Sequence, residues 1–144
     1  MRPEEQVHQA SEKFYAALNR MLNGDANPLV NVWSHDDGVT AMNLIGGRQS
    51  NWSDVRQTFE NFSKISTKGQ VKLNEQVINV VGDMAYELGV ERGQTTIGGQ
   101  SYTIDHRVTN IYRHEGDTWK VVHHHTDVSP WMVDILQRTP IQPK

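Results

Sequence analysis

The chain has 144 residues, a formal net charge of −3, eleven glycines, four tryptophans and no cysteine. One domain spanning 1–144 is the expectation for this length. The missing cysteine excludes disulfides, thiolate metal sites and cysteine nucleophiles. The mildly acidic balance argues against a nucleic-acid partner, which needs a basic surface to displace counterions.

The start, Met1-Arg2-Pro3-Glu4-Glu5-Gln6, has no apolar stretch behind a basic head, so no signal peptide is expected. No run approaches the roughly 18 apolar residues that span a bilayer. A soluble, cytoplasmic protein with no membrane partner is the expectation.

Val7, Ala10, Phe14, Ala17, Leu18 and Met21 recur at spacings of three and four, which predicts a first helix closed near Gly24. Asn27-Pro28 reads as an N-cap and first position of a short second helix that buries Leu29, Val32 and Trp33. Val39 to Leu44 reads as a strand, broken at Gly46-Gly47. Asn51 or Ser53 caps a third helix carrying Trp52, Val55, Phe59 and Phe62.

From Val71 the period becomes two. Val71, Leu73, Glu75, Val77, Asn79 and Val81 are expected on one face of a strand. Gly82-Asp83 makes a hairpin turn. Beyond it Met84, Tyr86, Leu88 and Val90 alternate with Ala85, Glu87, Gly89 and Glu91. Gly98-Gly99 makes another turn. Long strands follow from Tyr102 to His114 and from Trp119 to Val128, joined at Glu115-Gly116-Asp117. Pro130 starts a last helical turn. Helices followed by a meander point to an α+β class, with helices on one face of an antiparallel sheet.

Pairing Glu115 with Thr118 sets a register for the last hairpin. Asn110 then faces His123, Val108 faces His125, and His106 faces Asp127 on one side. Ile111 with Val122, Thr109 with His124, and Arg107 with Thr126 occupy the other. A one-residue error in pairing would scramble these partners.

The segment Arg107-Val108-Thr109-Asn110-Ile111-Tyr112-Arg113, then Trp119-Lys120-Val121-Val122-His123-His124-His125, resembles the closing hairpin of SnoaL-like domains in the nuclear transport factor 2-like superfamily. The association domain of calcium/calmodulin-dependent protein kinase II has a similar ending. Val32 to Thr40, Gly46-Gly47-Arg48 with Trp52, and Gly82-Asp83-Met84-Ala85-Tyr86 resemble earlier parts of the same family. The resemblance covers about Val7 to Val128. It implies a cone: a curved antiparallel sheet wrapped around N-terminal helices, a cystatin-like α+β roll with a pocket at the wide end. It also implies a homodimer through the outer sheet face.

The superfamily's ketosteroid isomerase pattern is not met. Its helix tyrosine aligns with Phe14, and its base position falls on Met42 or Asn43. Adjacent Tyr15 points about 100° away on an ordinary helix. The resemblance places a basic residue of the association domain's pocket at the position of Thr109. This side, with Arg107 and His124, is therefore expected to line the cavity, and Arg107 to anchor a carboxylate with its fork of donors. Tyr15, Trp33 and Trp52 are expected as walls. Glu91 and Asp105 are candidate ligand contacts or ion-pair partners.

His123 and His125 share a strand face and, with His106 and Asp127, have donors suited to zinc. The alternative is mutual hydrogen bonding or a polar dimer face. No metal and no cofactor are expected. Two functions stay open. One is a small-molecule-binding domain, acting as a cofactor-independent lyase, isomerase or hydrolase on a hydrophobic or carboxylate ligand. The other is a non-catalytic oligomerisation module.

Overall fold

The structure is a computed structural model that describes residues 1–138; residues 139–144 of the expected 1–144 domain lie outside the described residues. The elements are α1 (Pro3–Met21), α2 (Leu29–Val32), β1 (Thr40–Met42), β2 (Gln49–Ser50), α3 (Trp52–Ile65), β3 (Ser66–Val81), β4 (Met84–Ile97), β5 (Gln100–Glu115), β6 (Thr118–Thr126) and α4 (Pro130–Gln137). The strands form one sheet in the order β2-β1-β6-β5-β4-β3. Every neighbouring pair is antiparallel except β1 on β6. This is the expected α+β class with helices against a curved sheet.

Three local expectations change. The first strand is shorter than Val39 to Leu44, and β2 adds a two-residue edge partner. Asn27 does not cap α2, whose N-cap position is Pro28 with no side-chain bond. Asn51, not Ser53, caps α3: its side chain accepts from the Asp54 N–H at 3.0 Å.

α1 opens with Pro3, Glu4 and Glu5 and ends near Arg20, an order that suits the helix dipole. Its stripe buries Val7, Phe14, Leu18 and Met21 against the inner face of the sheet and α3. Tyr15 is buried beside Phe14, so the sheet grips the helix over more than a narrow stripe.

The sheet curls because β3 is broken by two bulges. Its register with β4 shifts between Thr67 and Gln70 and again between Asn74 and Val77. Lys68 and Glu75 take left-handed φ values of 53° and 56° there. The second bulge inverts the alternation. Gln76, Ile78 and Val80 turn inward, while Val77 and Val81, expected beside Val71, turn out and are 49% and 73% exposed. Among the described residues no helix is long and apolar enough to cross a membrane.

Two glycines let the folded strand close on itself. A Cβ on Gly93 would overlap the Gln70 carbonyl oxygen, and one on Gly69 would overlap Leu22 at the end of α1. Backbone cannot yield as a flexible side chain can. Gly93→Ala should therefore cost about 2–3 kcal/mol in denaturant unfolding. Gly38→Ala, whose new methyl would meet Asp36 only at ordinary contact distance, should stay within about 0.5 kcal/mol of the parent.

Candidate functional site

Strand alternation selects the interior. On β4 it turns Ala85, Glu87, Glu91, Thr95 and Ile97 inward, and on β5 Ile104, His106, Val108, Asn110 and Tyr112. β6 carries its own irregularity. Tyr112 pairs with Val121 but Ile111 pairs with His123, so Val122 is an extra residue. The bulge turns His124 inward opposite Asn110 and leaves His123 and His125 on the outer side.

These side chains join α1 in one buried hydrogen-bonded network. Glu87, fully buried, accepts from Gln76 at 2.7 Å, Asn110 at 3.0 Å and the Tyr112 hydroxyl at 2.8 Å. Glu91, also buried, accepts from the Tyr15 hydroxyl at 2.7 Å and pairs with His106 Nε2 at 2.7 Å. Asn110 Nδ2 also donates to the Tyr15 oxygen at 3.1 Å, and Asn110 Oδ1 lies 2.6 Å from His124 Nδ1. Two carboxylates are thus satisfied inside the protein, as buried charge requires.

The environments set the charge states. Burial pushes the Glu91 carboxyl up, but the hydrogen bonds from His106 and Tyr15 and the two nearby imidazoles outweigh it, leaving the group below the ordinary glutamate value. Burial pushes His124 down to about 4, against the pull of the Glu91 charge. Burial and the facing carboxylates raise the Tyr15 and Tyr112 hydroxyls well above the ordinary tyrosine value, so both remain donors.

A cavity of about 60 Å³ lies against this network. Glu91, His106, His124, Asn43, Thr95 and Tyr102 line it with polar atoms; its other walls are apolar, from α1, α3, the sheet, Leu44 and Met132 of α4. Among the described residues, His106 Nδ1 is buried without a hydrogen-bond partner. With Nε2–H donated to the Glu91 carboxylate, a neutral His106 ring leaves its lone pair on that unpartnered Nδ1. A histidine held by a carboxylate with its other nitrogen open is the arrangement of a general base.

Of the expected site residues, Glu91 and His124 line the cavity, and Tyr15 lies behind Glu91. Trp33 and Trp52 do not line it. They belong to an aromatic layer beside it, with ring centroids 6.3 Å apart, Trp33 packing on Phe14 and Phe59 and Trp52 stacking on His35. Asp105, Arg107 and Thr109 sit on the opposite face of β5. Arg107 pairs with Asp127 at 2.9 Å with its side chain 83% exposed, and Asp105 lies 3.6 Å from Arg92.

The cavity face expected for β5 is therefore inverted. Arg107 cannot anchor a carboxylate inside, and among the described residues no Lys or Arg lines the cavity. His106 turns inward, away from His123 and His125. The missed residues are Asn110 and Tyr112, and His106 was grouped with the outer histidines. Their signal was present: Ile104, Val108 and Tyr112 are the apolar partners of an alternation whose other members include Asp105, Arg107 and Arg113.

A SnoaL-like domain model matches residues 7–129. The chain belongs to the SnoaL-like family. No curated protein matches it by sequence. Among solved structures it is similar to a proposed dehydratase of the NTF2-like family from Streptomyces avermitilis, with 24% identity, 88% of this chain and 95% of that chain covered, and a TM-score of 0.77. It is also similar to a proposed calcium/calmodulin-dependent protein kinase type II association domain from Thiobacillus denitrificans, with 22% identity, 85% and 94% covered, and a TM-score of 0.69. A protein of cystatin-like fold from Caulobacter vibrioides shares 14% identity over 94% of this chain and 97% of that one, at a TM-score of 0.71. At these identities the SnoaL-like family shares the cone with these structures, and the fold is what the likeness conveys.

The buried histidine predicts how stability follows pH. His124 has a folded value of about 4, while an unfolded histidine titrates near 6.5. Between those values the unfolded chain binds the proton and the folded one does not. Stability is therefore greatest above about pH 6.5 and falls as pH drops toward 4, by roughly 3 kcal/mol from this group. Urea unfolding of the parent and of His124→Asn at several pH values between 7 and 4 should give a shallower decline in the variant.

Proposed function

We propose that the chain binds a small, neutral, largely apolar molecule in this cavity and moves a proton on it, with His106 as the general base and no cofactor. The observation that carries the reading is the unpartnered His106 Nδ1 beside the cavity, with Nε2 held 2.7 Å from Glu91. His106 Nδ1 takes a proton from a carbon next to a carbonyl group. Glu91 fixes the ring and stabilises the imidazolium that forms, and Tyr15 fixes Glu91. The proton is then returned to the substrate. Return at a different carbon makes the reaction an isomerisation; transfer of the proton from His106 to a leaving group, which departs with it as the carbon–carbon double bond forms, makes it a lyase step. The apolar walls exclude water and strengthen the electrostatics of both steps. With no Lys or Arg at the wall among the described residues and the Glu91 charge beside it, a carboxylate ligand is disfavoured. The dehydratase description of the Streptomyces protein is in keeping with a lyase.

Deuterium exchange tests this without knowing the natural substrate. The parent protein in deuterated buffer should speed exchange at the carbon beside the carbonyl of indanone, followed by proton NMR. His106→Gln, checked for folding by circular dichroism, should lower the protein-dependent rate by about 10²–10⁴. Equal rates for parent and variant would remove His106 from this role.

A second reading concerns the outside of the sheet. We propose that its outer face joins two copies as a homodimer. Leu88 and Val77 are paired across β3 and β4, and Tyr86 faces Ile111 on β5. Val77, Val81, Met84, Tyr86 and Leu88 all stand exposed on this side, a contiguous apolar row of the kind that marks an interface. The likeness to an association domain supports self-association. The parent should sediment as a dimer and Leu88→Lys as a folded monomer. A parent that stays monomeric at high concentration overturns this reading. A larger assembly with no exchange activity would favour a non-catalytic oligomerisation module.

A further inference from the structure

We infer that the cavity recognises a hydroxyl group on its ligand, with His124 Nε2 accepting the hydrogen bond and Asn110 and Glu87 holding His124 in the tautomer that can accept it. This rests on the cavity being a binding site, as proposed above, and adds which chemical group it selects.

The donors and acceptors of the network admit one arrangement. Glu87 accepts from Asn110 at 3.0 Å, which fixes that end of the carboxamide as its NH₂. The same NH₂ donates to the Tyr15 oxygen at 3.1 Å. The other end of Asn110 is therefore its carbonyl oxygen, which can only accept. His124 Nδ1 lies 2.6 Å from that oxygen, so Nδ1 carries a proton and donates it. A neutral imidazole has one ring proton, so Nε2 is left with its lone pair. Nε2 makes no hydrogen bond among the described residues, and the ring lines the cavity.

The ring cannot easily turn to hide that nitrogen. Phe14 packs edge-on against it with centroids 5.4 Å apart, and Phe59 lies at 6.5 Å. Its burial also disfavours a second proton. Nor can Asn110 flip, because its carbonyl would then face the Glu87 carboxylate. Glu87 does not line the cavity, yet it decides what the cavity offers. It is a positioning residue that acts through Asn110.

An unpartnered acceptor on a cavity wall disfavours a purely apolar ligand and rewards one that brings a donor. A hydroxyl on an otherwise apolar body fits. A ligand amine would bring a donor too, but as an ammonium it would be desolvated in an apolar cavity. The walls include Met21 and Met132, unbranched side chains that adapt to irregular occupants. This matters because about 60 Å³ is below the roughly 150 Å³ of a cavity that holds benzene.

Phenol and toluene make a matched pair of probes, alike in size and differing in one hydroxyl. A merely apolar cavity prefers toluene. The parent protein should instead bind phenol about tenfold more tightly, by calorimetry or NMR titration. His124→Asn keeps a donor for Asn110 at the Nδ1 position and removes Nε2, so phenol should lose its advantage while toluene binding holds. Glu87→Gln should weaken phenol as well. Nitrogen NMR of the histidine rings should then show the His124 proton moving from Nδ1 to Nε2, a change that simple loosening would not produce. Toluene binding as tightly as phenol in the parent overturns the hydroxyl inference and leaves the binding site standing. An unchanged phenol preference in His124→Asn overturns it too and transfers the contact to His106. Binding of neither probe overturns both the inference and the reading of the cavity as a ligand site.

Discussion

Two carboxylates sit in the interior of this protein, and much of the site's architecture supplies them with donors. An ionised carboxyl removed from water costs several kcal/mol unless hydrogen bonds replace the water. Glu87 and Glu91 are both buried, so each inward-facing polar side chain around them has a defined task. Tyr15 comes from α1, His106, Asn110 and Tyr112 from β5, and Gln76 from β3. Gln76 reaches Glu87 only because the bulge at Glu75 has inverted the alternation of β3. The irregularity that curls the sheet also completes the coordination of a buried charge. Tyr15 links the other way: its bond to Glu91 ties the central helix to the sheet it fills.

Most of the fold was legible in the chain, because it is written in period. The stripe of α1, the period-two strands and the glycine turns at Gly82, Gly98-Gly99 and Gly116 give the helix-then-meander order directly. The bulges were not legible. Nothing in Lys68, Glu75 or Val122 marks them as extra residues; tertiary closure of the curved sheet puts them there. In β6 one such residue decided the site. A regular ladder pairs Asn110 with His123, whereas the bulged one pairs it with His124. The triple histidine is therefore divided by packing, with one ring inside and two outside. The inward set on β5 could have been read from Ile104, Val108 and Tyr112. The expectation placed Arg107 inside because a pocket position was carried over from a similar domain. A guanidinium on the apolar side would have conflicted with that alternation, and the structure puts it in solvent with Asp127.

The two interior histidines are distinguished by what stands behind them. His106 is backed by a carboxylate, which stabilises the ring when it gains a proton and so suits it to accept one from a substrate. His124 is backed by a carboxamide oxygen, which fixes the tautomer but offers no negative charge, and burial keeps the ring neutral. The same residue type thus has two chemistries within one cavity, divided by second partners rather than by position in the chain. On the proposed reading, the division also constrains the ligand. A molecule that satisfies both must carry its acidic carbon toward His106 and a hydroxyl toward His124, with an apolar body between the walls of α1, α3 and the sheet. An anion would meet Glu91 with no Lys or Arg among the described residues at the wall to compensate, and a hydrocarbon would leave Nε2 unpaired. On that reading, neutral hydroxylated carbonyl compounds meet both requirements.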